Sequence, residues 1–325
     1  MGKIGIIANP ASGKDIRRLV ARASVFDNQE KQAIVRRALV GIEQTGAHEI
    51  AFLDDGHGIV RSALEDSDGN LTANPVVTSD MGNALDTISA ARALKDEGCQ
   101  AVLTLGGDGT NRAVAIGWQD VPVIPISTGT NNVFPILTEA TIAGAAAGII
   151  ASNLVDIDEV SSQAKIITIE IENERDDIAL IDAVLSSERF VGARALLEPD
   201  NLKFALLTRA DPAAVGITSI GGLLSPLSDE DPFGLLLNLG ETGEAINAPI
   251  APGYYRDIFI KDQRLVNFAE SVNINGPGVL AFDGERERTL KPKQQANLSL
   301  NRTGPRVIDV KKTMHLAAEK GCFKR

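Results

Sequence analysis

Between residues 101 and 110 an apolar run, Ala-Val-Leu-Thr-Leu, enters Gly106-Gly107-Asp108-Gly109-Thr110. An apolar strand ending in glycines puts backbone N–H groups at its carboxyl edge, where a helix can start and an anion can sit. Glycines admit positive φ and let a phosphate approach the backbone, and Thr110 is placed to cap the following helix. Asp108 is the odd member. A carboxylate beside a phosphate site repels its ligand unless it orients a metal ion, orients a hydroxyl nucleophile or takes that nucleophile's proton. The alternative reading is an ordinary glycine turn with an aspartate cap.

Two further turns share this character: Asn9-Pro10-Ala11-Ser12-Gly13 and Ser127-Thr128-Gly129-Thr130-Asn131-Asn132. Each supplies donors without fixed positive charge, and strand-end turns of a parallel sheet gather at one edge, where ligands bind. Each alone is equally an ordinary turn; together they suggest a nucleotide cradle. Two familiar phosphate motifs fail on spacing. Ser12-Gly13-Lys14-Asp15 has Asp15 where a Walker A loop needs a hydroxyl, and Arg112 stands where a dinucleotide fingerprint needs its third glycine.

The elements that would position these turns follow from periodicity. Strands are expected at 4–8, 50–53, 75–78, 101–105 and 121–126. Helices are expected from Lys14, over about 29–44 after Asp27 or Asn28, over 80–97 ended by Gly98, over 110–117, and through the alanine-rich 140–151. This alternation predicts a doubly wound α/β domain over residues 1–155. Beyond it, runs at 165–172, 202–207, 235–239, 258–260, 278–282 and 296–300 predict a β-rich domain over 156–305. Residues 306–325 turn helical and are placed to pack back on the first domain.

At 325 residues, two domains are the natural division. Hydrophobic residues at 44% and charged residues at 23% exclude disorder and a disulfide-stapled mini-protein. No apolar stretch is long enough to span a bilayer, and the first residues read as a core strand, not a signal peptide. Cys99 and Cys322, without a partner motif, fit a reducing cytoplasm. A formal charge of −11 offers no basic surface to nucleic acid or anionic lipid. His48, His57 and His315 are scattered, so no zinc site is expected, and the metal ligands are unknown. Asp54-Asp55-Gly56-His57 reads either as a cleft element or as a plain loop, and Arg17 and Arg18 as exposed, within reach of a phosphate at the first turn.

The three turns together resemble the NAD kinase and diacylglycerol kinase superfamily. Asn9-Pro10-x-Ser12-Gly13 is similar to its first nucleotide loop, residues 106–110 to its signature, and Gly129-Thr130-Asn131 to its third glycine turn. Ser219-Ile220-Gly221-Gly222 resembles a serine-glycine-glycine segment of NAD kinases, and Asp283-Gly284-Glu285 a late motif of the lipid kinases. With residues 188–192, the overall character most resembles the NAD-kinase-like branch named acetoin catabolism protein X. The resemblance implies a Rossmann-like first domain with a parallel sheet, a β-sandwich-like second domain and an active site between them.

ATP, with Mg²⁺ or another divalent cation, would then lie along Asn9, Pro10, Ser12, Gly13, Gly106, Gly107, Gly109, Thr110, Asn111, Gly129, Thr130 and Asn131. The acceptor would meet Asp182, Ser219, Gly221 and Gly222. Asp108, by likeness to NAD kinases, or Glu285, by likeness to lipid kinases, would serve as base. The implied activity is phosphoryl transfer to a small-molecule hydroxyl, with NAD the leading named acceptor. Another small polyol or metabolite linked to acetoin-type catabolism, a non-catalytic nucleotide-binding regulator and a lipid kinase are the alternatives, and a homo-oligomer stays open. Two departures bear on the acceptor: Ile181-Asp182 keeps an acid but loses the amide NAD kinases carry, and Val215-Gly216-Ile217 replaces their Thr-Ala-Tyr.

Overall fold

The computed structural model describes residues 2–13, 26–67, 69–78, 81–129, 131–187 and 199–324, apart from the side chains of Arg286 and Glu287. The expected helix from Lys14, the arginines 17 and 18, Thr130 and residues 188–192 lie outside the described residues.

The first half is built on five parallel strands: β1 (Lys3–Ala8), β2 (Glu49–Leu53), β3 (Thr72–Val76), β4 (Cys99–Gly106) and β5 (Pro122–Ser127). They lie in the order β3-β2-β1-β4-β5. β4 and β5 read as continuous apolar runs because helices cover both faces, as a parallel sheet requires. These helices are α1 (Asn28–Gln44), α2 (Ile59–Glu65), α3 (Ala84–Asp96), α4 (Asp108–Gly117) and α5 (Ala140–Ala151). α1 starts at the expected Asp27, whose carboxylate accepts from the Glu30 N–H at 2.8 Å. α3 begins later than the expected residue 80 because Asn83 and Asp86 form a reciprocal capping box. The alanine-rich α5 packs so tightly on α1 that a Cβ at Gly144 would run into the backbone of Ala38, and one at Gly41 into that of Thr141.

After α6 (Ile157–Val160), β6 (Ser161–Gln163) joins the edge of this sheet. The second half is antiparallel. Its strands are β7 (Ile166–Ile171), β8 (Asp177–Ala179), β9 (Asp182–Ser186), β10 (Leu202–Leu207), β11 (Phe233–Gly240) and β12 (Glu244–Ala251), followed by β13 (Tyr254–Asn267), β14 (Ser271–Asn275), β15 (Gly278–Phe282), β16 (Glu285–Leu290) and β17 (Gln295–Asn301). A seven-stranded sheet, β12-β13-β11-β10-β9-β15-β16, faces a four-stranded one, β14-β17-β7-β8. Ile167, Ile169, Leu298 and Leu300 of the small sheet meet Phe204, Leu206, Leu280 and Phe282 of the large one in one core. The result is the expected β-sandwich. A helix between β10 and β11, α7 (Ile217–Leu224), covers the other face of the large sheet. The chain then returns: β18 (Arg306–Ile308) lies parallel to β5 and antiparallel to β6, and α8 (Val310–Glu319) follows it.

Arg112 of α4 ties the halves together. Its Nε donates to the Ile178 carbonyl at 2.6 Å, a terminal nitrogen pairs with Asp177 Oδ1 at 2.6 Å, and its guanidinium stacks 5.2 Å from the Phe282 ring. Arg288 takes the other Asp177 oxygen at 3.2 Å. Arg112 and Asp177 are both buried, so losing one partner strands the other charge in a medium that solvates it poorly. Arg112→Ala and Asp177→Ala should each lower unfolding stability by about 3–5 kcal/mol, read as a shift of the urea midpoint. The double variant should lose less than the sum of the two.

Candidate functional site

The first turn, after β1, is held from below. Lys31 of α1, with no exposed surface, donates its ammonium hydrogens to the carbonyls of Asn9 (2.9 Å), Pro10 (3.1 Å) and Ser12 (2.6 Å) and to Asn28 Oδ1 (3.3 Å). The sequence reading passed over Lys31. Its signal was a charge on the buried face of α1, three and four residues before Ile34 and Val35. The turn is also tied sideways to the other two. Asn9 Nδ2 donates to Thr110 Oγ1 at 2.9 Å, and Thr128 Oγ1 donates to Ser12 Oγ at 2.9 Å. Gly13 takes φ +77, and a Cβ there would press on Phe26 and the Thr128 carbonyl.

At the second turn α4 starts earlier than expected. Gly107 is the N-cap and Asp108 the first helical residue, so Thr110 does not cap the helix. It lies inside the first turn, where its hydroxyl receives Asn9. The Asp108 carboxylate bridges to the third turn: Oδ1 accepts from the N–H groups of Val133 (3.0 Å) and Phe134 (2.7 Å), and Oδ2 from Val133 (3.1 Å). A Cβ on Gly107 would meet Asn132 Oδ1 of the third turn at 2.8 Å, and one on Gly109 would meet Glu285 Oε1 of the second domain at 2.6 Å. Gly106 and Asn111 lie beneath the turn, where Asn111 Oδ1 accepts from Thr104 Oγ1 (2.7 Å) and its Nδ2 donates to the Gly107 carbonyl (2.9 Å). Gly129 is buried under the third turn, its carbonyl accepting from Ser127 Oγ at 2.7 Å.

The second domain brings up Asp182, at the start of β9, and Asp283-Gly284-Glu285, between β15 and β16. Asp283 is buried at φ +50 and accepts from the backbone N–H groups of Leu180 (3.0 Å), Ile181 (2.7 Å) and Asp182 (3.3 Å). Burial pushes its carboxyl up to about 7; the Leu180 N–H, Arg112 and the Ile181 N–H pull it down, and the charge of Asp108 pushes it further up. Ser219, Gly221 and Gly222, expected at the acceptor, stand elsewhere. Ser219 is fully buried and donates to the Gly216 carbonyl at 2.7 Å, while side chains at Gly221 and Gly222 would collide with Leu207 and with the Asp211–Pro212 backbone. They let α7 sit close on its sheet. The residues just before them, Val215 to Thr218, face the site instead.

A cleft of about 700 Å³ joins these parts. Of the expected residues it is lined by Asn9, Pro10, Ser12, Gly13, Gly107, Asp108, Gly109, Thr110, Asn131, Asp182 and Glu285; Gly106, Asn111, Gly129, Ser219, Gly221 and Gly222 are not in its wall. Residues 54–57, the loop between β2 and α2, also line it. Gly107 and Gly109 line the cleft, and Asn131 Oδ1 is buried there with no donor among the described residues. These features suit a nucleotide. Among the described residues no group of three His, Cys, Asp or Glu side chains is arranged to hold a metal ion. A divalent cation would therefore come coordinated by phosphates, with one or two of the cleft carboxylates.

Fold and cleft together define a two-domain chain of the NAD kinase type. Yeast NADH kinase, crystallised with NADH, superimposes over 100% of this chain and 88% of its own, with a TM-score of 0.55 at 13% identity. A diacylglycerol kinase structure from Bacillus anthracis str. Sterne covers 94% of this chain and 96% of its own, with a TM-score of 0.53 at 12% identity. Residues 4–154 match the ATP-NAD kinase N-terminal domain, and residues 165–303 the acetoin catabolism protein X C-terminal domain. The curated acetoin catabolism protein X of Cupriavidus necator is 36% identical over 329 residues, covering 97% of this chain and 92% of that protein. The chain belongs to the acetoin catabolism protein X family.

Two outcomes follow from this geometry. An acid whose folded pKa of about 7 lies above its unfolded value of about 3.9 holds more protons folded than unfolded between those values. The contribution of Asp283 to stability should therefore fall as pH rises from about 4 to about 7 and then level off, and Asp283→Asn should remove that slope from urea midpoints taken across the range. Lys31→Met takes the ammonium donor from the Pro10 and Ser12 carbonyls, at about 1–3 kcal/mol each, while the Asn9 carbonyl keeps the Ser12 hydroxyl at 2.8 Å. Hydrogen exchange at Ala11 to Gly13 should accelerate with it, more than at β4.

Proposed function

We propose that this protein transfers the γ-phosphoryl group of ATP to a hydroxyl of a small molecule. The observation that carries the reading is the convergence of the first and second turns and the Asn131–Val133 segment on one cleft, with Asp108 held there by the Val133 and Phe134 N–H groups and Glu285 facing Gly109 from the second domain. Family membership and the match of residues 4–154 to the ATP-NAD kinase domain support it.

In this reading Ser12, Gly13, Gly107 and Gly109 present backbone to the triphosphate, and the buried Lys31 turns the first loop's carbonyls away from it. A divalent cation bound with the nucleotide would neutralise charge on the phosphate oxygens. The acceptor oxygen forms a bond to the γ-phosphorus, the bond between that phosphorus and the β,γ-bridging oxygen breaks, and ADP leaves with the electron pair. The hydroxyl proton passes to a carboxylate. Asp108 takes that role because backbone donors fix its direction; Glu285, exposed at the start of β16, is the rival. Two acceptor classes stand at this point: NAD, as the matched domain suggests, and a shorter hydroxyl compound.

In Asp108→Asn, an amide oxygen in the place of Oδ1 keeps the bonds from Val133 and Phe134 and only the second Val133 contact, to Oδ2, is lost, so the variant should fold with a modestly lowered urea midpoint. Its transfer of label from γ-labelled ATP should drop by about 10²-fold or more, the scale of general-base assistance. Near-normal turnover in a folded variant would remove Asp108 from the chemistry.

A further inference from the structure

A second tie between the halves ends beside Asp108, and it starts where the chain crosses from one half to the other. The two crossings run side by side: the Ala164 N–H donates to the Pro305 carbonyl at 2.8 Å, and the Gly304 N–H to the Ala164 carbonyl at 3.1 Å. A cation on each crossing grips the loop between α7 and β11. Lys165, fully buried, donates to the carbonyls of Ser228 (2.9 Å) and Phe233 (3.0 Å). Arg302 donates to those of Asp229 (2.7 Å), Glu230 (3.1 Å) and Asp231 (3.1 Å), and to that of Gln163 (3.2 Å). The Asp229 carboxylate of this loop pairs with Arg209, just after β10, at 3.1 Å. The Arg209 guanidinium in turn stands 5.9 Å from the centre of the Phe134 ring, in the first half. Phe134 is the residue whose N–H donates to Asp108 Oδ1 at 2.7 Å. Lys165, Arg209, Asp229, Arg302 and Phe134 all lie outside the cleft wall.

We infer that Arg209 is a positioning residue for the transfer: backed by Asp229 and its loop, the guanidinium braces the Phe134 ring and so holds the Val133 and Phe134 N–H groups on the Asp108 carboxylate. This rests on the kinase reading above. The ring and the donor belong to one residue, so a shift of the Phe134 side chain carries its N–H with it. Phe134 is 4% exposed, in a core that also holds Ile181 of the second half. The Arg209 backbone is anchored beside that core, because the neighbouring Thr208 N–H donates to the Ile181 carbonyl at 2.9 Å. Arg209 Nε is buried with no acceptor among the described residues. A guanidinium placed for hydrogen bonding alone would not leave a buried donor unmet, which is costly. Its position is explained instead by the carboxylate on one terminal nitrogen and the aromatic ring within cation–π reach of its plane. A lysine there would keep the charge opposite Asp229 and bring no plane to the ring.

The test titrates Asp108 in the full chain by the NMR resonance of its carboxyl carbon, assigned as the signal absent from Asp108→Asn. The wild type is compared with Arg209→Lys, Arg209→Met, Phe134→Leu and the double variant Arg209→Lys/Phe134→Leu, with urea midpoints to establish that each folds. N–H donors favour the charged carboxylate, so loosening them strengthens proton binding. Asp182, Asp283 and Glu285 in the cleft and Arg112 on α4, the charged groups nearest in the site, are the same in every variant. In Arg209→Lys the proton affinity of Asp108 should rise at least about threefold, part of what one hydrogen bond to a charged group contributes. In Arg209→Met it should rise by as much or more, and in the double variant by no more than in Phe134→Leu alone. A wild-type titration in Arg209→Lys beside a raised one in Arg209→Met would reveal only the loss of a nearby charge and would overturn the positioning role. So would an unchanged Asp108 in both, or shifts that add in the double variant. Should Arg209→Met fail to fold, the lysine and leucine variants decide alone. Each of these failures leaves the kinase reading standing. Absence of ATP binding to the wild-type chain by calorimetry would overturn that reading, and with it the service of Arg209 to transfer.

Discussion

A buried guanidinium, one helical turn beyond Asp108, governs the geometry on which the rest depends. Arg112 leaves the parallel-sheet half on α4 and ends among the second domain's Asp177, Ile178 and Phe282. The pair needs more than charge to be tolerable, because desolvation of two ions offsets much of their attraction. Here the extra partners exist: a carbonyl on Nε, an aromatic face, and Arg288 on the second carboxylate oxygen. Because Arg112 and Asp108 share one short helix, what locks the domains also sets the distance from the Gly106–Thr110 turn to the opposite bank.

Lys31 performs the analogous task within the first domain. A strand-end turn has no intrinsic reason to aim its N–H groups outward. An ammonium placed under three of its carbonyls gives it one, since those oxygens turn inward to reach the charge. The bonds from Asn9 to Thr110 and from Thr128 to Ser12 then make three separate turns move as a unit. The turns are mostly neutral groups around Asp108 with one buried cation behind them, an arrangement that suits the nucleotide of the proposed function in a chain of net charge −11.

The opposite bank comes from the second domain. α7 lies close on its sheet at Gly221, which faces Leu207 and Leu235, and close on the Asp211–Pro212 loop at Gly222; Val215 and Ile217, just before them, line the cleft. The glycines of the Ser-Gly-Gly segment act through packing, one step removed from any ligand. The Asp283 nest works in the same indirect way: by gathering the N–H groups of residues 180–182 it fixes the start of β9 and with it the position of Asp182.

The sequence alone determined the alternation of strands and helices in the first half, the glycine turns and the antiparallel texture of the second half, because each is written in local periodicity and turn chemistry. It also marked Asp108, since an acid among glycines is visible without a fold. What only the tertiary structure decided were the long-range partners: Lys31 under the first turn, Arg112 across the domains, Asp283 in its nest of backbone donors, and the burial of Asn111, Ser219 and Gly221. Residues 306–308, far along the chain, complete the first sheet by lying against β5. A buried charge is acceptable only where distant groups surround it, and those groups are separated from it by tens to more than a hundred positions in the chain. Residue type shows that such a charge needs company; the folded backbone alone supplies which company it keeps.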